Sequence, residues 1–237
     1  MLYVDSTACV SVNGVHMSAK NEGYDGFVFS CVYVLGGATL SLERCDLTCE
    51  SAAVVQIEDA GTTAVVAGCS IHDGNSDGVF IIGKAKATLE NNDIHSNTRS
   101  GVCVQGEGSE AVLKTNTIHH CKGSGVCIYE KAKATLENNT IIGNDLAGVQ
   151  LQDHATATLT GNTIKGNGVC LAERIEEELA AWTEARVALY RSSGGFPGLG
   201  VLDHSTVSMS PGSNTIEGNG KVGGTVEQVL VDGTSAG

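Results

Sequence analysis

Apolar and polar residues alternate along this chain in short runs, and the runs return at a period of about 23 residues. Residues 78–100 read GVFIIGKAKATLENNDIHSNTRS, 101–124 GVCVQGEGSEAVLKTNTIHHCKGS, 125–147 GVCIYEKAKATLENNTIIGNDLA and 148–167 GVQLQDHATATLTGNTIKGN. Each stretch opens on a Gly-Val strand, continues through a run of the Ala-Thr-Leu kind and closes on Asn-x-Ile, with apolar side chains at every second position, the period of a strand. A polar turn follows each run. Three short strands per repeat make one triangular coil, and a repeat of this length buries its apolar face only by stacking on its neighbours. A leucine-rich horseshoe needs a helix or longer arc per repeat, for which there is no room. The pattern predicts an all-β fold, a right-handed parallel β-helix of about seven to eight coils, forming one domain over 1–237.

Four inward columns follow: Val79, Val102, Val126, Val149; Ala87, Ala111, Ala134, Ala157; Leu89, Leu113, Leu136, Leu159; and Ile94, Ile118, Ile141, Ile164. Two residues before the repeat isoleucine stand Asn92, Asn116, Asn139, Asn162 and Asn214, whose amides at the ~4.8 Å spacing of stacked strands are placed to bond one another as an internal ladder. Cys45 and Cys69 hold the same position in degenerate coils nearer the N-terminus, where Leu40 and Leu42 with Leu47, and Ala64 to Val66 with Ile71, repeat the pattern. Val10 to Val15, with Asn13, reads as the first coil.

One segment breaks the period. In LAERIEEELAAWTEARVALYR, Leu171, Ile175, Leu179, Trp182 and Leu189 fall near one helical face, with acids early and Arg186 and Arg191 late, as the helix dipole prefers. An inserted amphipathic helix is expected over 171–193, ended by Gly194, Gly195 and Pro197. Two alignments place it. Gly198 to Met209 matches Gly148 to Leu159, with Asp203-His204 against Asp153-His154, which sets the insertion before a Gly-Val strand; alternatively residues 168–173 copy 125–130, which sets it after one. Either way it borders the Gly-Val face.

Composition agrees with a solenoid: 31 Gly, 2 Pro and 4% aromatics suit many short strands and turns. The net charge of −13 argues against nucleic acid or an anionic membrane as partner, since both need basic surfaces. Nine Cys, with no CxxC pair, look unlike a disulfide framework or a zinc ribbon. Several stand where other repeats carry Asn, Val or Gln, so reduced thiols serving as small fillers are expected, together with a cytoplasmic or nuclear location, since no signal peptide opens the chain. The chain could also be part of a longer protein.

The strings IHDGNSDGVFIIGKAKATLENNDIHSN and GVCIYEKAKATLENNTIIGNDLAGVQLQDHA resemble the right-handed β-helix repeats of carbohydrate-binding proteins and sugar hydrolases, the pectin-lyase-like fold. They are most similar to the β-helix region of F-box family ubiquitin-ligase substrate receptors. The resemblance covers residues 64–167 well and 198–219 weakly, and no F-box segment stands within these residues. It implies a rigid recognition surface, and in polysaccharide-active members a ligand along the outer face of the Gly-Val strands.

On that face the outward positions are Phe80, Cys103, Cys127 and Gln150, then Ile82, Gln105, Tyr129 and Gln152, followed at the turn by Glu130, Asp153, His154, Asp203 and His204. Tyr129, Gln150, Gln152, Asp153, His154, Asp203 and His204, with Trp182 on the inserted helix, are the candidate binding residues, an aromatic, amide and acid mixture suited to a glycan or peptide. Glu130, Asp153 and Asp203 are the candidate acids for a carboxylate pair. A lyase would need a basic residue on this face, and the nearest, Arg99, reads as isolated in a turn. His72, His95 and His119 follow the repeat isoleucine in three successive coils and are the candidates for a shared metal, which would also require converging geometry. No motif requires a cofactor. The expected function is noncatalytic recognition, as a scaffold module binding a protein or glycan partner on the Gly-Val face; the alternative is a polysaccharide-active enzyme, a glycoside hydrolase, lyase or epimerase.

Overall fold

Each coil gives one strand to each of three eight-stranded, all-parallel sheets in a computed structural model, which describes residues 1–20, 29–168, 199–201, 206–209 and 214–217. Sheet A runs from Leu2–Val4 to Leu199–Val201, sheet B from Cys9–Asn13 to Thr206–Met209, and sheet C from His16–Ala19 to Thr215–Glu217. The fifth coil is representative, with Val102–Gln105 in A, Glu110–Lys114 in B and Thr117–His119 in C. The chain thus winds as a parallel β-helix whose first coil starts with Leu2–Val4, a strand earlier than the alternation at Val10 announces.

Register follows the apolar columns without slippage. Val79, Val102, Val126 and Val149 stack in sheet A, Ala87 with Leu89 and their counterparts in sheet B, and Ile94, Ile118, Ile141 and Ile164 in sheet C. These side chains are buried in one continuous core. A one-residue slip would turn a whole column into water, which is why the alternation fixes the pairing so strongly.

Two columns of amides close the corners. The side chain of Asn116 donates from Nδ2 to Leu89 O at 2.9 Å and to Asn139 Oδ1 at 3.0 Å, while its own Oδ1 accepts from Asn92 N–H at 3.0 Å and Asn92 Nδ2 at 2.9 Å. The same pattern runs on through Asn139 and Asn162 to Asn214. At the other end Asn92 Oδ1 accepts from the Cys69 amide, and the Cys69 thiol accepts from the Cys45 amide at 3.3 Å. A second column lies three residues after the repeat isoleucine: Asn144 Oδ1 accepts from the Cys121 amide, and Asn144 in turn bonds Asn167 Oδ1 through both its backbone N–H and Nδ2. Asn97 stands in this column too, accepting from the Gly74 amide at 2.9 Å and donating to Ile71 O. Every buried backbone group at these corners needs such a partner, because water cannot reach it.

The glycines that open the sheet A strands at Gly78, Gly101 and Gly125 are there for space. A Cβ on Gly125 would lie 2.4 Å from Ile141 Cγ2 and 2.6 Å from Gly148 O, so the coil corner closes only around a hydrogen.

Strand Leu199–Val201 pairs with Val149–Leu151 in the register Val149 to Leu199, which is the first of the two alignments. The predicted helix at 171–193 and the residues Trp182, Asp203 and His204 lie outside the described residues.

Candidate functional site

The outer surface of sheet A presents one row of side chains, Tyr3, Tyr33, Gln56, Phe80, Cys103, Cys127 and Gln150, set by strand register one per coil. A second row carries Glu58, Ile82, Gln105 and Tyr129. The repeat pattern does not reach the first three members of the long row, nor Glu58 in the second, because the first three coils lack the Gly-Val opening that marks the later ones.

The two ends of this face differ. At the N-terminal end Tyr3 is 53% exposed and meets Tyr33 edge-on, with ring centroids 5.7 Å apart. The Tyr33 hydroxyl donates to Glu58 Oε2 at 2.6 Å, Gln56 Nε2 donates to the same oxygen at 2.9 Å, and Ser30 Oγ donates to Gln56 Oε1 at 3.1 Å. Burial, joined by the Glu58 carboxylate, pushes the Tyr33 hydroxyl well above the usual phenol range.

Toward the C-terminal end, Cys103 and Cys127 are buried, not solvated as their outward positions suggested. Ser100, the residue before a Gly-Val strand, laps over Cys127 with its Oγ 3.1 Å from Sγ, and Ser124 Oγ donates to Gln150 Oε1 at 3.0 Å. Burial pushes both thiols upward, so they are poor nucleophiles. No disulfide joins the eight described cysteines, although Cys103 and Cys127 are register partners. Tyr129 is half-buried beside Cys127, and burial raises its hydroxyl as well.

Asp77 occupies the position that Ser100 and Ser124 fill in later coils. It is 3% exposed, the one buried carboxyl among the described residues. Its Oδ1 accepts from the Ser100 amide at 2.9 Å, and its Oδ2 lies 3.7 Å from Arg99 Nη1. Burial raises its pKa, against the pull of Arg99 and the Ser100 amide. Arg99 therefore does not sit alone in its turn: it flanks sheet A with a carboxylate beneath it. Sequence reasoning passed over Asp77 because a lone Asp before a Gly reads as a turn residue.

Of the candidates named from sequence, Tyr129, Gln150 and Gln152 share the sheet A face, with Gln150 Nε2 3.5 Å from Gln152 Oε1. Glu130 and Asp153 stand in adjacent stacked turns, both exposed, and Glu130 Oε1 accepts from Gln105 Nε2 at 2.9 Å. His154 is turned from that face into a shallow groove of about 560 Å³ that it lines with Glu107, Glu110, Lys131, Lys133 and Thr156.

His72, His95 and His119 form a column on sheet C, with rings stacked face to face at 4.9 and 5.0 Å. Their nitrogens engage neighbours in the ring planes: His72 bonds Asp46 and Asp73, and His119 bonds Asp93, each at 2.8 Å. Stacked rings aim their lone pairs sideways and not at a common centre, so the column has no converging geometry. Among the described residues no group of three His, Cys, Asp or Glu side chains is placed to hold a metal ion.

No curated protein matches the chain. Among solved structures, the crystal structure of pectate lyase Pel9A is similar with a TM-score of 0.52 at 12% identity, over 88% of this chain and 53% of that one. The A-module of the Azotobacter vinelandii mannuronan C-5 epimerase AlgE4 aligns over 92% of this chain and 84% of that one, at 14% identity and a TM-score of 0.37. The chain spans about half the length of the pectate lyase, and likeness at this identity establishes the fold alone. The family profile for the right-handed β-helix region matches residues 9–164 and again 52–228. With its three parallel sheets and buried columns, this chain belongs to the right-handed β-helix family.

Proposed function

We propose that this chain acts on a polysaccharide lying along the outer face of sheet A, with Asp77 as the proton-transferring carboxyl. The observation that carries the reading is Asp77 itself, a buried carboxyl at the border of an aromatic and amide face, with a guanidinium 3.7 Å away. Burial raises the Asp77 pKa, the direction that suits a carboxyl giving its proton to a glycosidic oxygen as the C–O bond breaks and water adds to the sugar carbon. The β-helix of pectate lyase Pel9A, whose name records action on pectate, supports this over the recognition role expected from sequence.

The test is the release of reducing ends or unsaturated products from a panel of neutral and acidic polysaccharides. Asp77→Asn keeps an oxygen for the Ser100 amide while removing the titratable proton. Turnover by the unaltered chain and its loss in the variant are expected; turnover untouched by Asp77→Asn would overturn the assignment.

A second reading is noncatalytic recognition of a glycan or, as the resemblance to F-box receptor β-helices implies, of a protein. It is favoured by the exposure of Glu130 and Asp153, which leaves Asp77 without a buried partner acid among the described residues. Binding without turnover is its signature.

A further inference from the structure

We propose that the N-terminal half of the sheet A face, built from Tyr3, Tyr33, Gln56, Glu58 and Phe80, is a stacking subsite for an uncharged polysaccharide, so that the polymer this chain takes is neutral and not a polyuronate. The inference rests on the polysaccharide reading above and names the class of polymer.

Three features of the face point this way. Its outward strand positions among the described residues, from Tyr3 to Gln150, include no Lys or Arg, whereas Glu58 projects from the second row. A polymer with a carboxylate on every sugar would have to approach that carboxylate, with Asp5 and Asp59 in the bordering turns, and no cation on the strands to offset it. Of the cations that flank the face, Lys131 is paired with Glu107 at 2.9 Å, while Arg99 and Lys84 stand in turns and not on the strands along which the polymer would lie.

The face offers instead the groups that hold a neutral sugar. Tyr3 and Tyr33 supply ring surface for the C–H faces of a pyranose, and Phe80 adds another ring two coils further on, at a coil spacing of ~4.8 Å. Glu58 is held still by Tyr33 and Gln56, both bonded to Oε2, which leaves Oε1 with capacity to accept from a sugar hydroxyl. A pre-formed acceptor costs little ordering entropy on binding.

Isothermal titration of the full chain with glucomannan and galactomannan, and with polygalacturonate and alginate in the presence of a chelator, tests this. At least one neutral polymer is expected to bind, and the polyuronates at least tenfold more weakly. Tyr33→Ala should weaken neutral binding about tenfold or more, and Tyr33→Phe, which keeps the ring and loses the bond to Glu58, should weaken it less; unchanged circular dichroism melts show that both variants fold. Polyuronate binding as tight as neutral binding, or neutral binding unaffected by Tyr33→Ala, would overturn the subsite while leaving the polysaccharide reading in place. No binding to any of the four polymers would remove both.

Discussion

Replacing Asn116 by alanine deletes four hydrogen bonds at a position that is 1% exposed. Two partners retain other bonds, since Asn92 Nδ2 still donates to Val66 O and Asn139 Oδ1 still accepts from the residue 116 amide. The Asn92 N–H does not, and a buried donor without an acceptor costs about 1–3 kcal/mol, with about 1 kcal/mol for each further bond lost. The expected destabilisation is about 4–6 kcal/mol. Asn116→Cys should cost roughly half of that, because a thiol at this position accepts the preceding coil's amide, as Cys69 accepts from Cys45 at 3.3 Å. Urea denaturation gives the total, and amide hydrogen exchange at Asn92 reports the lost acceptor locally, which matters in a repeat fold whose coils need not unfold together. A loss below about 1 kcal/mol in Asn116→Ala, or an Asn116→Cys variant no better than alanine, would refute the reasoning.

Gly125→Ala drives a methyl to within 2.4 Å of Ile141 Cγ2 and 3.0 Å of Asn144 Nδ2, so it should lower stability by about 1–3 kcal/mol in a thermal melt, and a melt within a degree of the parent would show that the corner has room for a side chain. Burial, reinforced by stacking between two other imidazoles, lowers the pKa of His95, so the unfolded chain takes up a proton there first and stability falls as pH drops through ~6.5; His95→Gln should gain on the parent at pH 5 and not at pH 8. His72 is opposite in sign, since burial lowers its pKa but bonds to Asp73 and Asp46 raise it further; the stability it adds below ~6.5 is lost as pH rises through its folded value, and His72→Gln should lose more at pH 5 than at pH 8. Urea midpoints at the two pH values decide both, and reversed signs would contradict the hydrogen-bond assignments.

How much of this was legible beforehand depends on which force wrote each position. Core columns such as Leu89 to Leu159 were readable because burial on one face imposes a period of two, and nothing else in the coil competes with it. The second amide column at Asn97, Asn144 and Asn167 was equally periodic, with Cys121 in its one odd place, and could have been found by counting three residues on from each repeat isoleucine. Asp77 was not readable. Its burial comes from Ser100 and Arg99 of the next coil closing over it, an effect of stacking that no single repeat records. The burial of Cys103 and Cys127 has the same origin: alternation says which way a side chain points, not what folds across it.

The most direct test of a polysaccharide on the outer face of sheet A is an amide chemical-shift map of the full chain, titrated with a glucomannan oligosaccharide. Shifts concentrated at Tyr33, Gln56, Phe80 and Gln105 are predicted, with sheets B and C still. Shifts centred on the sheet C histidine column, or on the groove beside His154, would contradict it.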